Sequence, residues 1–172
     1  MNLNGINVEA LKNILEEVKL NKEKVKALTV WRTRIRWLGG FKARAYMRRH
    51  SLDIDEVSDL AGVDTAQNPV ETLLAALGAC IMITFVYNAT LRNIEIENLE
   101  IALEGQIENI LVFLGLEKDG NPGFNNIKID IYVKSNAEKE IIEEIVKESI
   151  NASPVAATLT RNVNLIHKVK IF

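Results

Sequence analysis

The feature that most constrains this chain is one long apolar segment with its own start signal. Asn68-Pro69-Val70-Glu71 precedes Leu73 to Val86, fourteen residues that are almost all apolar or small. Asn68 is a good N-cap, Pro69 suits the first helical position, and the Glu71 carboxylate stands where it can close a capping box. The helix so opened is expected to run to about Leu91. Apolar round its whole circumference, it predicts a helix buried on all sides. Its apolar run is shorter than the roughly 20 residues a membrane-spanning helix needs, so no membrane is expected. A chain of 172 residues rarely encloses such a helix alone. Burial between subunits of an intertwined oligomer is the expectation, with one large sheet as the alternative.

The segments around it read as strands and amphipathic helices. Val8, Leu11, Ile14, Leu15 and Val18 recur at helical spacing and predict a helix over 7–20. Trp31, Thr33, Ile35 and Trp37 alternate with Arg32, Arg34 and Arg36, the period of a half-buried strand. Gly39-Gly40 supplies a turn, and 41–51 resumes the extended pattern, making a hairpin. An acidic stretch, 52–67, reads as a long loop. Strands are expected over 94–106 and 127–133, with an apolar run at 110–116 and a turn at 118–123. A helix follows over 136–150, its start marked by Ser135 and Glu138 as a second capping box. Ser153-Pro154 opens a short helix, and 165–172 closes the chain as a strand. The order, α-ββ-α-ββ-α-α-β, is that of an α+β fold with antiparallel sheet. Residues 1–26 form a helical extension ahead of a domain spanning 27–172.

Composition narrows the chemistry. Lys and Arg number 21 against 23 Asp and Glu, a formal net charge of −2, which argues against a dedicated nucleic-acid binder. Cys80 is the single cysteine, so neither an intrachain disulfide nor a Cys-rich zinc site can form. His50 and His167 are far apart in sequence, and no metal or cofactor site is expected. The charged N-terminus has no apolar core of a secretory signal, so a cytoplasmic location is expected, where a lone thiol stays reduced.

Two features could carry chemistry. Cys80 lies in the middle of the apolar helix, where an unpaired cysteine ordinarily packs as a small hydrophobe. A functional reading needs a thiolate, and an ordinary thiol is only about 3% ionised at neutral pH. An adjacent guanidinium is the usual remedy. Six of the eight arginines, Arg32, Arg34, Arg36, Arg44, Arg48 and Arg49, fall within 18 residues that contain no acid. That cluster is open to three readings. It is a solvated sheet face, an anion or thiolate partner, or a nucleic-acid patch in which Trp31, Trp37, Phe41 and Tyr46 stack on bases. Glu71 lies nine residues before Cys80, about half a turn round the helix, and so serves that thiol only from another subunit.

The segment 49–56 and then Asn68-Pro69-Val70-Glu71-Thr72-Leu73-Leu74-Ala75-Ala76-Leu77-Gly78-Ala79-Cys80 resemble the OsmC/Ohr family, the osmotically inducible and organic-hydroperoxide-resistance proteins. Gly120-Asn121-Pro122-Gly123-Phe124 and Ala152-Ser153-Pro154-Val155 continue the likeness in register. The resemblance implies an intertwined α+β homodimer with a buried central helix and a site at the subunit interface. It further implies a thiol peroxidase reducing organic hydroperoxides, with Cys80 as the peroxidatic cysteine. The second, resolving cysteine of that pattern falls at Ser153, so turnover would need an external thiol reductant. Phe41 replaces the arginine after the Gly-Gly pair, and Val70 replaces the glutamate after the proline, with Glu71 one place later. Arg44 and Arg36 are the candidates to replace that arginine. The alternative function is a non-enzymatic relative binding a small hydrophobic ligand at the dimer interface.

Overall fold

The computed structural model describes residues 1–171. They form two compact units that divide between Ala75 and Ala76, the first with a two-stranded and a three-stranded sheet and the second with a two-stranded sheet.

The first unit begins with two short paired strands, β1 (Asn2–Leu3) and β2 (Ile6–Asn7), leading into helix α1 (Val8–Leu20). Asn7 caps α1 by accepting from the Ala10 N–H at 3.0 Å. A 3-10 segment, Lys22–Thr29, follows. The sheet is three antiparallel strands, β3 (Arg34–Gly39), β4 (Lys42–Met47) and β5 (His50–Ile54), in that order. This corrects the expected two-stranded hairpin, because the chain turns again at Arg48-Arg49. No glycine, asparagine or proline marks that turn, and Arg48 adopts a left-handed φ of 55°. The start of the expected 52–67 loop is therefore strand.

The loop that follows, 55–67, is held from within. Asp55 is buried and accepts from the backbone N–H of Glu56 (2.9 Å) and of Thr65 (3.0 Å) and from the Thr65 hydroxyl (2.7 Å). Gly62 passes so close to Glu56 that a Cβ there would lie 1.8 Å from the Glu56 carbonyl oxygen. Only glycine fits that approach.

Helix α2 (Pro69–Leu91) crosses from the first unit into the second, and its 23 residues exceed the fourteen-residue apolar run in the sequence. Both halves of the expected capping box are present. The Glu71 N–H donates to Asn68 Oδ1 and the Asn68 N–H donates to Glu71 Oε2, each at 2.8 Å.

In the second unit, β6 (Ile96–Ile107) pairs antiparallel with β7 (Phe124–Ser135). The register sets Ile101 opposite Ile131 and Leu103 opposite Ile129. These side chains, with Ile127, receive Leu77 and Ile81 of α2. Gly78 lets the helix approach, since a Cβ there would lie 2.6 Å from Leu103 Cδ1. The apolar run at 110–116 yields a short helix, α3 (Ile110–Phe113), between the two strands. Helix α4 (Lys139–Ala152) packs Ile142, Ile145 and Val146 against Phe85 and Ala89. Its start differs from expectation: Ser135 accepts from the Ala137 N–H at 3.2 Å, and Glu138 is the N-cap without a side-chain bond. Helix α5 (Pro154–Leu159) begins where Ser153 Oγ accepts from the Ala156 N–H at 3.2 Å.

One further expectation is corrected. Residues 161–171 are not a strand but an exposed segment with no assigned element, Ile166 being 95% exposed. Phe172 lies outside the described residues. Within the single chain α2 is covered along one side, and the other, Ile83 included, is open.

Candidate functional site

The covered stripe of α2 is Leu77, Ile81, Phe85 and Ala89, spaced four apart on one side of the helix. Ile81 and Phe85 are fully buried, whereas Ile83 is 71% exposed. Cys80 is half-buried. It lies about 60° round the helix both from Leu77 of the covered stripe and from Ile83 of the open side. The thiol therefore sits at the margin between the covered and the open face. Ala76, which is exposed, and Tyr87, which is half-buried, flank it. The helix backbone is intact there, and Thr84 Oγ1 donates back to the Cys80 carbonyl at 2.8 Å.

Ser153 is fully buried and occupied as the cap of α5. Its neighbours Val155 and Ala156 pack with Leu77 and Ile81. The position that the resemblance assigns to a second cysteine thus adjoins the apolar layer under α2, and here its side chain ends a helix.

The two candidate arginines are cross-strand neighbours, Arg36 on β3 directly opposite Arg44 on β4. They differ in charge balance. Arg44 in turn faces Asp53 on β5 and binds it through two nitrogens, Nε to Oδ1 and Nη2 to Oδ2, the latter at 2.9 Å. The bond to Arg44 holds the Asp53 carboxyl below its ordinary range, and the bond to Asp53 raises the Arg44 guanidinium further. Arg36 is exposed and makes no ion pair among the described residues.

Glu71 is exposed at the mouth of α2, its carboxylate engaged by the Asn68 N–H. His50 is exposed at the start of β5. Arg36, Arg44 and Glu71 belong to the first unit, and Cys80 and Ser153 to the second. Among the described residues no group of three or more His, Cys, Asp and Glu side chains is placed to hold a metal.

One residue escaped sequence reasoning. Asp55 anchors the loop before α2, and hydrogen bonds from the backbone and hydroxyl of Thr65 lower its pKa to about 2. Spacing gives no sign of this, because the Thr65 partner is ten residues away across an irregular loop.

By length and composition α2 could cross a membrane. Its packing against β6, β7 and α4 instead makes it a core helix of the second unit.

No curated protein matches this chain. Among solved structures it resembles the OsmC-like protein of Mycoplasma pneumoniae, with 20% identity and a TM-score of 0.66 over 80% of this chain and 98% of that one. An OsmC-like protein of unknown function from Vibrio cholerae gives a TM-score of 0.63 at 11% identity, over 75% of this chain and 92% of that one. An organic hydroperoxide resistance protein from Legionella pneumophila gives 0.56 at 16% identity, over 76% and 90%. At such identities the likeness establishes the fold. The family model for OsmC-like proteins matches residues 62–168, a span that holds α2, Cys80, Ser153 and the whole β6–β7 sheet. The chain belongs to the OsmC-like protein family.

Proposed function

We propose that this OsmC-like protein reduces organic hydroperoxides through Cys80 and regenerates the thiol with an external reductant. The observation that carries the reading is the place of the lone thiol, half-buried at the margin of the covered face of a largely apolar helix rather than within its core stripe. The apolar composition of α2 favours a hydroperoxide with a hydrocarbon body. The Legionella neighbour is named for organic hydroperoxide resistance, and that name lends the reading its substrate class.

The chemistry balances without a second cysteine. The Cys80 thiolate attacks the terminal peroxide oxygen, the O–O bond breaks, and the alkoxide leaves as the alcohol after taking a proton. Cys80 is oxidised to the sulfenic acid. A first external thiol condenses with it, releasing water and leaving a mixed disulfide. A second external thiol then frees Cys80 and departs as the oxidised disulfide. Ser153, as a buried cap, takes no part in these steps.

Activation of the thiol calls for a cation. Of the two candidate arginines, Arg44 already has its charge matched by Asp53, whereas Arg36 makes no ion pair among the described residues. Glu71 is assigned to capping, since both its N–H and its carboxylate are engaged with Asn68.

The protein acts as a homodimer in this reading, in a reducing cytoplasm. Ile83 on α2, Ile35 and Trp37 on β3 and the apolar residues of 161–171 are all exposed in a single chain. A second copy would cover exposed apolar surface of this kind.

Peroxide consumption tests the proposal. Wild-type protein supplied with dihydrolipoamide or dithiothreitol should consume cumene hydroperoxide catalytically, and Cys80→Ser should not. If both proteins stay at the uncatalysed rate, the apolar surround of Cys80 becomes a ligand-binding site of a non-enzymatic protein.

A further inference from the structure

The second group of arginines lies away from Cys80 in sequence and unit, and it lines a cleft of its own. Leu28, Val30 and Trp31 on the approach to β3 form the apolar wall together with Met47 of β4, and Arg32 and Arg48 complete it. The cleft measures about 810 Å³, within the range that takes a small organic ligand. Trp31 is 71% exposed.

The charges here lack the balance found elsewhere on the same sheet. Arg36 and Arg44 face each other across β3 and β4, and Asp53 neutralises one of them. Beyond the last β3–β4 pair, Arg34 with Tyr46, Arg32 on the approach to β3 and Arg48 in the turn after β4 both line the cleft. Like charges gathered in one cleft repel. Neither arginine has an ion-pair partner among the described residues, and the sequence between Glu23 and Asp53 contains no acid. The backbone at Arg48 is left-handed, a conformation that glycine or asparagine adopts at less cost. An arginine is therefore held at a turn position where neither local propensity nor local electrostatics favours it.

We propose that this cleft binds a free single-chain amphiphilic anion. Its head group bridges the guanidinium groups of Arg32 and Arg48, and its hydrocarbon body lies along Trp31, Leu28, Val30 and Met47. Two guanidiniums suit a carboxylate or a phosphate equally, since both offer paired oxygens to a planar donor fork. The apolar wall adds what a bare inorganic anion would not use. The site is independent of the peroxidase reading, and nothing in its test involves Cys80.

The probe is dodecanoate below its micellar concentration, with Trp37→Phe as the background so that Trp31 alone reports. Saturable quenching or a blue shift of Trp31 is expected, with dodecyl phosphate giving a similar affinity. Dodecanol should bind at least 10-fold more weakly, and dodecyltrimethylammonium not at all. Arg48→Gly suits the left-handed turn, so it should keep the thermal midpoint or raise it while weakening dodecanoate at least 10-fold. Arg32→Glu supplies an internal counter-ion to Arg48 and should abolish dodecanoate binding while the protein stays folded.

Three results would overturn the proposal. One is the absence of saturable change with either anion. Another is equal binding of the cationic surfactant, which would leave only a greasy surface. The third is arginine-dependent binding to anionic phospholipid vesicles or to single-stranded RNA with no response to free dodecanoate. That outcome would reassign the cleft to a membrane or nucleic-acid surface.

Discussion

Asn68 and Glu71 cap helix α2 reciprocally, each donating its backbone N–H to the other's side chain at 2.8 Å. The pair fixes where the helix that carries Cys80 begins. Asn68→Ala should lower stability by about 1 kcal/mol, the usual cost of a lost N-cap, measured by urea unfolding. Glu71→Gln keeps an acceptor at the same position and should cost less. Because Glu71 is assigned to the cap, Glu71→Gln should also hold peroxide turnover within about twofold. A loss of a hundredfold or more in the folded variant would return the carboxylate to the reaction.

Asp55 couples the loop before α2 to pH. Its carboxylate accepts three hydrogen bonds, and its pKa falls from 3.8 to about 2. The folded value lies below the unfolded one, so its contribution is fully present above about pH 4 and is lost as the pH falls toward 2. Asp55→Asn should reduce stability at pH 7 and flatten the decline between pH 4 and 2, as read from unfolding midpoints across that range. An unchanged acid slope would mean that the Thr65 contacts do not persist in solution.

Ile83 separates a core helix from an interface helix. It is largely exposed in the single chain, whereas Ile81 two residues earlier is fully buried. Ile81→Ala should cost about 2–5 kcal/mol, the range for truncating a buried isoleucine. Ile83→Asp should leave the far-ultraviolet spectrum intact but convert a dimer to a monomer in light scattering. A variant that keeps the wild-type mass would remove the open face of α2 from the interface.

Ser153 gives a test of the missing resolving thiol. Ser153→Ala should cost about 1 kcal/mol through the lost cap, with no effect on the first oxidation of Cys80. In Ser153→Cys, peroxide should consume two thiols per chain instead of one. Thiol counting after a single equivalent of peroxide reads this directly.

Where the physics is local, the sequence was a good guide. The cap of α2, the N-cap at Ser153, the helix over 8–20 and the alternating strands β6 and β7 all depend on residues within a few positions of each other. The turn at Arg48-Arg49 was hidden because it uses residues that disfavour a left-handed backbone. The start of α4 misled for the opposite reason. Ser135 and Glu138 have capping-box spacing, but the serine closes a tighter turn onto Ala137. The alternating pattern at 165–171 reads as a strand, yet a strand also needs a neighbour, and in the single chain that segment has none assigned. The same holds for the open side of α2. Of the candidate site, the place of Cys80 within α2 was legible from the helix pattern and its cap. The unequal balance of Arg36 and Arg44 was not, since it depends on which strand brings Asp53 alongside.

The most direct test of Cys80 chemistry is the intact mass of the reduced protein after brief exposure to stoichiometric cumene hydroperoxide with dimedone present. Rapid formation of one dimedone adduct is expected in the wild-type protein and none in Cys80→Ser. An unmodified wild-type mass after prolonged exposure would contradict it and leave Cys80 as a packing residue of α2.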